Sequence, residues 1–370
     1  MEQAEIFPFI EVYGTPFIRG QQHGEAAKER VQGSIALYRS QLSNRGITLP
    51  QQKQLAQKLI PNIQDYDPDY LEEMRGIAEG AGAELEDIIT VNCRTEMMFG
   101  HSQISEATDG CTGLIVMPEA SANNTLLHAH NWDWREECID TGIVIKIKRN
   151  HGPDLLTFTE AGALARHGIN SAGLSLSGNF LSSNLDYQSS ARVPLVLLRR
   201  KMLEAANICA ALKTAWTTPR FCSNNLMLSQ AQAGHSEAIN LECAPDEIFW
   251  LQPENDMLVH ANHWLCPVAR TKMRDTGLSM TPDSLYRQRR VLQALQKSQG
   301  QITWDHVKTA LADDFAKPDG VLRFPKTGSY NSISATVATT LMEPANGVMY
   351  IARKPYGEKV QFQEYRLHSS

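Results

Sequence analysis

The Gly110-Cys111 bond is the place where this chain is best equipped to do chemistry on its own backbone. A polar stretch, His101 to Thr108, ends in Asp109-Gly110, and Cys111-Thr112-Gly113 then leads into apolar Leu114-Ile115-Val116-Met117. At such a loop-to-strand junction a thiol can attack the preceding carbonyl. An N→S acyl shift gives a thioester, and water releases a new N-terminal cysteine. That cysteine carries nucleophile and base together, because a free α-amine has a pKa of roughly 8 and can take the thiol proton. Glycine before it tolerates a strained backbone and leaves the carbonyl open to attack. The same five residues also suit an ordinary buried cysteine at a turn, so residues elsewhere must decide.

Three further groups have the right chemistry. Asn131-Trp132-Asp133-Trp134 places an acid at the end of a strand that can pair with the Cys111 strand, where it would hold an amine or serve as a turn former. Asn262, in Val259-His260-Ala261-Asn262-His263, and Asn179, after Gly173–Ser177, offer neutral amides of the kind that line oxyanion holes. Asparagines also cap turns. Arg199-Arg200-Lys201 suits either carrier phosphates or a solvated helix face. His128 and His130 share a strand face, but no carboxylate or cysteine joins them at ligand spacing, so no metal or other cofactor is expected.

The elements that position these residues fall into two halves. Ahead of Cys111, the short strand Phe9–Tyr13 precedes a helix with Ala27, Val31, Ile35, Tyr38 and Leu42 on one face. Further helices are expected over 51–60, stopping at Pro61, over 68–80, ended by glycine, and over 87–98. After Cys111 come short strands at 113–117, 125–130, 142–148, 155–159 and 173–177. Helices at 193–206 and 282–296 follow, with more strands at 226–228, 237–242, 248–251, 334–340 and 348–353. That order fits an α+β fold in which two antiparallel sheets stack with helices outside, an αββα four-layer sandwich. No linker rich in Pro, Gly or Ser divides the β-rich part, so residues 1–110 read as a helical region packed on a catalytic domain of 111–370.

Composition narrows the function classes. A net charge of −6 without a long basic run argues against nucleic acid. No apolar stretch is long enough to span a bilayer, and the acidic start Met1-Glu2-Gln3-Ala4-Glu5 is unlike a signal peptide. Seven cysteines without C-x-x-C spacing suggest reduced thiols, so a cytoplasmic protein is expected. Walker, G-x-G-x-x-G, H-E-x-x-H and G-x-S-x-G signatures are all missing.

Several short motifs occur in one register. They are Gly14-Thr15-Pro16-Phe17 with Gly20, His23 and Gly24, then Arg75-Gly76-Ile77-Ala78 with Gly80, and Asn92-Cys93-Arg94-Thr95-Glu96. Asp109-Gly110-Cys111-Thr112, Asn131-Trp132-Asp133, Thr159-Glu160-Ala161-Gly162 and Asn170-Ser171-Ala172-Gly173 follow. Leu241-Glu242, His260-Ala261-Asn262-His263 and Pro282-Asp283-Ser284 with Arg287 complete the set. In these the chain resembles, over nearly its whole length, the acyl-coenzyme A:6-aminopenicillanic acid acyltransferases (isopenicillin-N acyltransferases), self-processing cysteine N-terminal-nucleophile hydrolases.

The resemblance implies the αββα sandwich of the N-terminal-nucleophile type and cleavage between Gly110 and Cys111 into a light chain, 1–110, and a heavy chain, 111–370. It makes Cys111 the nucleophile, Asp133 its partner near the amine and Asn262 the oxyanion amide. Asn179, Thr112 and Ser332 are further candidates for oxyanion or substrate contacts. The substrates would be a small-molecule acyl donor, such as a coenzyme A thioester, and an amine acceptor. The match breaks at Ser332-Ile333-Ser334-Ala335-Thr336, where Ile333 stands at the position of the family's active-site arginine, whereas Arg323 has a counterpart elsewhere in the family pattern. That departure suggests a different acyl donor or amine from the penicillin enzyme. Three readings follow: an N-acyltransferase of specialised-metabolite biosynthesis, an amidohydrolase using water as acceptor, and an inactive, non-processing relative.

Overall fold

The computed structural model describes residues 6–100, 110–190, 192–328 and 332–368; His101 to Asp109 lie outside them. The chain opens with strand β1 (Phe9–Val12) and six helices: α1 (Pro16–Ala26), α2 (Lys28–Asn44), α3 (Leu49–Tyr66), α4 (Pro68–Ala81), α5 (Leu85–Asn92) and α6 (Arg94–Phe99). The predicted face of α2 is the buried one, with Val31, Ile35, Tyr38 and Leu42 all inside. Helix α3 continues through Pro61 rather than stopping there. Proline removes one hydrogen bond, but Pro61 and Gln57, whose carbonyl loses its donor, both face solvent. Gly82, left-handed at φ 65°, is the glycine that ends α4.

Gly80 has another task. A Cβ there would come within 2.3 Å of Gln21 O, and one on Gly20 within 2.0 Å of Glu73 O. Gly24 and Gly76 are equally tight, so the motif glycines let α1 and α4 cross at backbone contact. The helix expected over 87–98 breaks at Cys93 into α5 and α6.

The second half begins with β2 (Cys111–Val116) and β3 (Leu127–Arg135), then α7 (Cys138–Thr141). Strands β4 (Gly142–Ile147), β5 (Leu155–Glu160), β6 (His167–Asn170) and β7 (Leu174–Phe180) follow, and helices α8 (Leu195–Leu203) and α9 (Ile208–Thr217) come next. Strands β8 (Asn224–Gln232), β9 (His235–Cys243), β10 (Ile248–Leu251) and β11 (Met257–His260) lead to helices α10 (Pro267–Lys272), α11 (Ser284–Gln296) and α12 (Trp304–Leu311). Strands β12 (Lys326–Thr327), β13 (Ile333–Glu343), β14 (Val348–Arg353) and β15 (Phe362–Arg366) close the fold.

An eight-stranded sheet runs β1-β4-β5-β6-β7-β8-β9-β10, and a seven-stranded sheet runs β11-β2-β3-β13-β14-β15 with β12 beside β13. All pairings are antiparallel except β1 with β4. The sheets face one another: Ile115 of β2 packs with Met227 of β8, and the His128 ring lies between Ser175 and Ser177 hydroxyls of β7. On the outer face of the second sheet, Leu114 and Val116 pack with Val291 and Leu295 of α11 and Val307 of α12. Helices α2, α8 and α9 cover the first sheet. The result is the four-layer αββα sandwich. The N-terminal region is built into it, supplying an edge strand and part of one helix layer, because β1 completes the ladder at β4.

Candidate active site

Strand alternation sorts the site into two sides. Cys111, Gly113 and Ile115 of β2 point between the sheets, whereas Thr112, Leu114 and Val116 point toward α11 and α12. Cys111 pairs with Trp132 in the β2–β3 ladder, which brings Asp133 alongside. Asp133 lies inside β3 rather than at its end, because the strand runs on to Arg135.

Both sides of the Gly110-Cys111 peptide are gripped. The Asp133 N–H donates to Gly110 O at 3.1 Å, and the Cys111 N–H donates to Asn262 Oδ1 at 2.7 Å. Arg287 of α11 donates through Nη1 to Cys111 O and Thr112 Oγ1, both at 2.9 Å, and through Nη2 to Asn262 Oδ1 at 2.9 Å. Its Nε bonds Asp283 Oδ2 at 2.7 Å. Arg323 joins the cluster, with Nε 3.2 Å from Asp133 Oδ2 and Nη2 on Asp283. Thr336 Oγ1 donates to Asp133 Oδ1 at 2.7 Å and accepts the Arg323 N–H at 2.8 Å. Burial works against the Asp283 charge, yet Arg287 and Arg323 hold its carboxyl below the usual range.

Gly110 fits this cluster only as glycine. A Cβ on it would lie 2.8 Å from Arg287 Nη2 and 2.8 Å from Arg323 Nη2.

The predicted residues divide accordingly. Cys111, Gly110, Thr112, Asp133 and Asn262 come together. Asn262 presents its carbonyl oxygen, not its amide nitrogen, to the Cys111 nitrogen. Arg287 sets that orientation, and Asn262 Nδ2 donates to Phe180 O at 2.9 Å. Asn179 gives Nδ2 to His260 O and Ala261 O at 2.8 and 2.7 Å, so it ties down the chain leading to Asn262 instead of facing the thiol. Thr112 anchors Arg287 on the face opposite the Cys111 side chain. Ser332 bonds Arg135. Ile333 is 41% exposed at the start of β13, and Arg323 supplies the guanidinium that meets Asp133.

Sequence reasoning assigned no role to Arg287 or Asp283, although Asp283-x-x-x-Arg287 has the spacing of an intrahelical ion pair. Thr336 and Ser284, whose Oγ accepts the Asn262 N–H at 2.7 Å, carried no signal of their own. Arg199 and Arg200 are buried rather than solvated: Arg200 chelates Glu73 at 2.9 and 3.0 Å. His128 and His130 sit between the sheets, where burial drives both down to about 3 and leaves them neutral. Among the described residues no group of three His, Cys, Asp or Glu side chains could hold a metal ion. Nor is any described helix long and apolar enough to cross a membrane.

On the side facing the first sheet, burial raises the Cys111 thiol above its ordinary value, while the nearby Arg166 and Arg199 charges pull it back. A buried cysteine opens a central strand, and an ion cluster lies across its preceding peptide; a thiol so placed has the chemistry of a candidate nucleophile. The chain belongs to the acyl-coenzyme A:6-aminopenicillanic acid acyl-transferase family, whose model matches residues 120–354. A relative, the 40 kDa form of acyl-coenzyme A:6-aminopenicillanic-acid-acyltransferase of Emericella nidulans, is 29% identical over 259 residues, 69% of each chain. Among solved structures, conjugated bile acid hydrolase of Clostridium perfringens is 14% identical with a TM-score of 0.46, over 70% of this chain and 97% of that one. Penicillin V acylase of Agrobacterium tumefaciens is 13% identical with a TM-score of 0.45, over 70% and 86%.

Proposed function

We propose that the chain cuts itself between Gly110 and Cys111, and that the freed cysteine moves acyl groups from a coenzyme A or similar carrier thioester to an amine. Residues 1–110 then form the light chain and 111–370 the heavy chain. The observation that carries this reading is the double grip on the scissile peptide, with Gly110 O on the Asp133 N–H and the Cys111 N–H on Asn262 Oδ1.

In self-cleavage the Cys111 sulfur attacks the Gly110 carbonyl carbon. The oxygen becomes an oxyanion that the Asp133 N–H and the adjacent guanidiniums of Arg287 and Arg323 stabilise. The C–N bond breaks as the nitrogen takes the proton given up by the thiol, the new α-amine stays on Asn262 Oδ1, and water releases the Gly110 carboxylate from the thioester. In turnover the α-amine takes the thiol proton, the sulfur attacks the donor carbonyl, and the carrier thiol leaves. An acceptor amine then attacks the Cys111 thioester, the C–S bond breaks, and the amide leaves as the amine's proton returns to the Cys111 sulfur. The second hydrogen of Asn262 Nδ2 is the side-chain donor for that oxyanion. Asp133, tied to Arg323 and Thr336, acts chiefly through its backbone and by setting the charge of the cluster.

Intact mass and N-terminal sequencing of wild type beside Cys111→Ala test the first step. Two wild-type fragments, the larger starting at Cys111, support it; an unbroken wild-type chain overturns it. Turnover of a synthetic acyl thioester with and without saturating amine tests the second. Amide product supports transfer, and free acid as the main product under both conditions replaces transfer with hydrolysis.

A further inference from the structure

Helix α11 turns its first polar side chains toward the site rather than toward its own end. Asp283 and Ser284 are of the types that cap a helix by accepting a backbone N–H two or three residues on. Neither does so here. The N–H groups of Ser284, Leu285 and Tyr286 bond the carbonyls of Thr281, Pro282 and Asp283 instead, which frees both side chains. Asp283 joins the arginine cluster. Ser284, fully buried, meets the turn after β11: its Oγ accepts the Asn262 N–H at 2.7 Å and lies 2.7 Å from His263 Nδ1.

Donor counting sets the direction of the second bond. A hydroxyl has one hydrogen and two lone pairs. Ser284 makes no other side-chain hydrogen bond among the described residues, so a proton on His263 Nδ1 would leave the hydroxyl hydrogen buried without an acceptor. His263 Nδ1 therefore accepts, and the ring proton sits on Nε2. Burial, with His260 and Arg287 nearby, brings this imidazole down to about 4 and keeps it neutral.

One helix thus holds Asn262 at both ends. Ser284 takes its N–H, and Arg287, three residues on along the same face, donates to its Oδ1 at 2.9 Å. That Oδ1 also accepts the Cys111 N–H at 2.7 Å. The rest of the turn is anchored elsewhere. Glu242 of β9 accepts from His260 Nε2 and from the Leu265 and Cys266 N–H groups, and Trp264 Nε1 donates to Ser182 O at 3.0 Å.

We propose that Ser284, oriented by His263, is a positioning residue that fixes the Asn262 peptide and so aims the Asn262 amide at the Cys111 nitrogen. This rests on the self-cleavage and acyl-transfer reading and adds two residues that act through Asn262.

The test compares wild type with Ser284→Ala, His263→Leu and His263→Asn, the last placing an amide Oδ1 where Nδ1 stood. Trp264→Phe is the packing control, since it removes a bond of the same turn that does not reach Asn262. Intact mass times self-cleavage and single-turnover acylation of Cys111 by the acetyl thioester of N-acetylcysteamine, with Tm in parallel. In acylation the Cys111 sulfur bonds the acetyl carbon, and the N-acetylcysteamine thiol leaves with a proton. Ser284→Ala should slow both steps roughly tenfold to a hundredfold and leave the half-saturating thioester concentration unchanged. His263→Leu should slow them roughly three- to tenfold, and His263→Asn should recover most of that loss. Trp264→Phe should lower Tm and slow neither. Ser284→Ala rates within about twofold of wild type overturn the proposal. So do His263→Leu and His263→Asn that are slowed alike or not at all, and a Trp264→Phe as slow as Ser284→Ala. Should Ser284→Ala fail to fold, the His263 pair decides alone. If wild type neither cuts itself nor takes the acetyl group, the reading underneath fails separately. Hydrogen exchange then decides the positioning: in Ser284→Ala or His263→Leu, but not in Trp264→Phe, the Cys111 amide must exchange roughly tenfold faster than in wild type, and equal exchange overturns it.

Discussion

Gly110→Ala places a methyl group against the most constrained part of the site. Its Cβ would stand 2.8 Å from Arg287 Nη2, 2.8 Å from Arg323 Nη2 and 2.9 Å from Arg323 Nε. Ordinary non-bonded contact is about 3.5–4.0 Å, so at least about 0.7 Å must be found. Elsewhere the ends of two arginines would swing aside. Here Arg287 is held by Asp283, Cys111 O, Thr112 and Asn262, and Arg323 by Asp133, Asp283 and Asp319. Overpacking of this kind costs about 1–3 kcal/mol. Any shift of Arg287 also loosens its hold on Asn262 and on the carbonyl of Cys111. Misplacement of about 1 Å costs a positioned reaction on the order of a hundredfold, and about 0.7 Å of forced movement should slow self-cleavage roughly tenfold to a hundredfold. The assay is a time course of fragment appearance by intact mass after purification of the uncut chain, with Tm measured in parallel. Gly113→Ala is the packing control, since its Cβ would meet only the flexible Met227 sulfur at 2.5 Å and no charged group closer than ordinary contact. It should lower Tm and slow cleavage less. Cleavage of Gly110→Ala at the wild-type rate would refute the claim that the arginine cluster aligns the scissile bond.

Asn262→Ala leaves both the Cys111 N–H and Arg287 Nη2 without their acceptor, so cleavage should slow, and acyl transfer should fall by roughly 10²–10³-fold; single-turnover rates by mass spectrometry check both. Ile333→Arg should leave cleavage unchanged, because the side chain at 333 emerges beside Glu136, Glu137 and Asp140 while Arg323 already occupies Asp133; faster processing on a gel would count against this. Stability should decline as pH falls below about 6.5. His23 is held at about 4 by burial and His128 and His130 at about 3, so between those values and 6.5 the unfolded chain binds more protons than the native one. Each contributes up to about 1.4 kcal/mol per pH unit in that window. Urea midpoints at pH 7, 6 and 5 measure it, and a constant midpoint would mean these rings are protonated or solvated.

Local signals carried the fold well. The alternation in β2 and β7 and the apolar stripe of α2 are set by which face each residue must bury, and they survive folding almost unchanged. Gly110-Cys111 was legible for a related reason: a polar run meeting an apolar strand marks the junction whatever packs against it. Boundaries moved where a tertiary partner outweighed a local preference. Gly80 reads as a helix stop but fills a helix crossing, and Pro61 reads as a breaker but stands where water replaces its missing donor.

What the sequence determined by itself is the candidate nucleophile, the order of helices and strands, and the asparagine and aspartate that stand near Cys111. What only the tertiary structure decided is the charge around them. It turned the Asn262 oxygen toward the Cys111 nitrogen, spent the Asn179 donors on backbone carbonyls, and clamped Gly110 between Arg287 and Arg323. Periodicity reports which face of an element is buried. It does not report which distant charge will meet a buried guanidinium, because that depends on contacts between elements far apart in the chain.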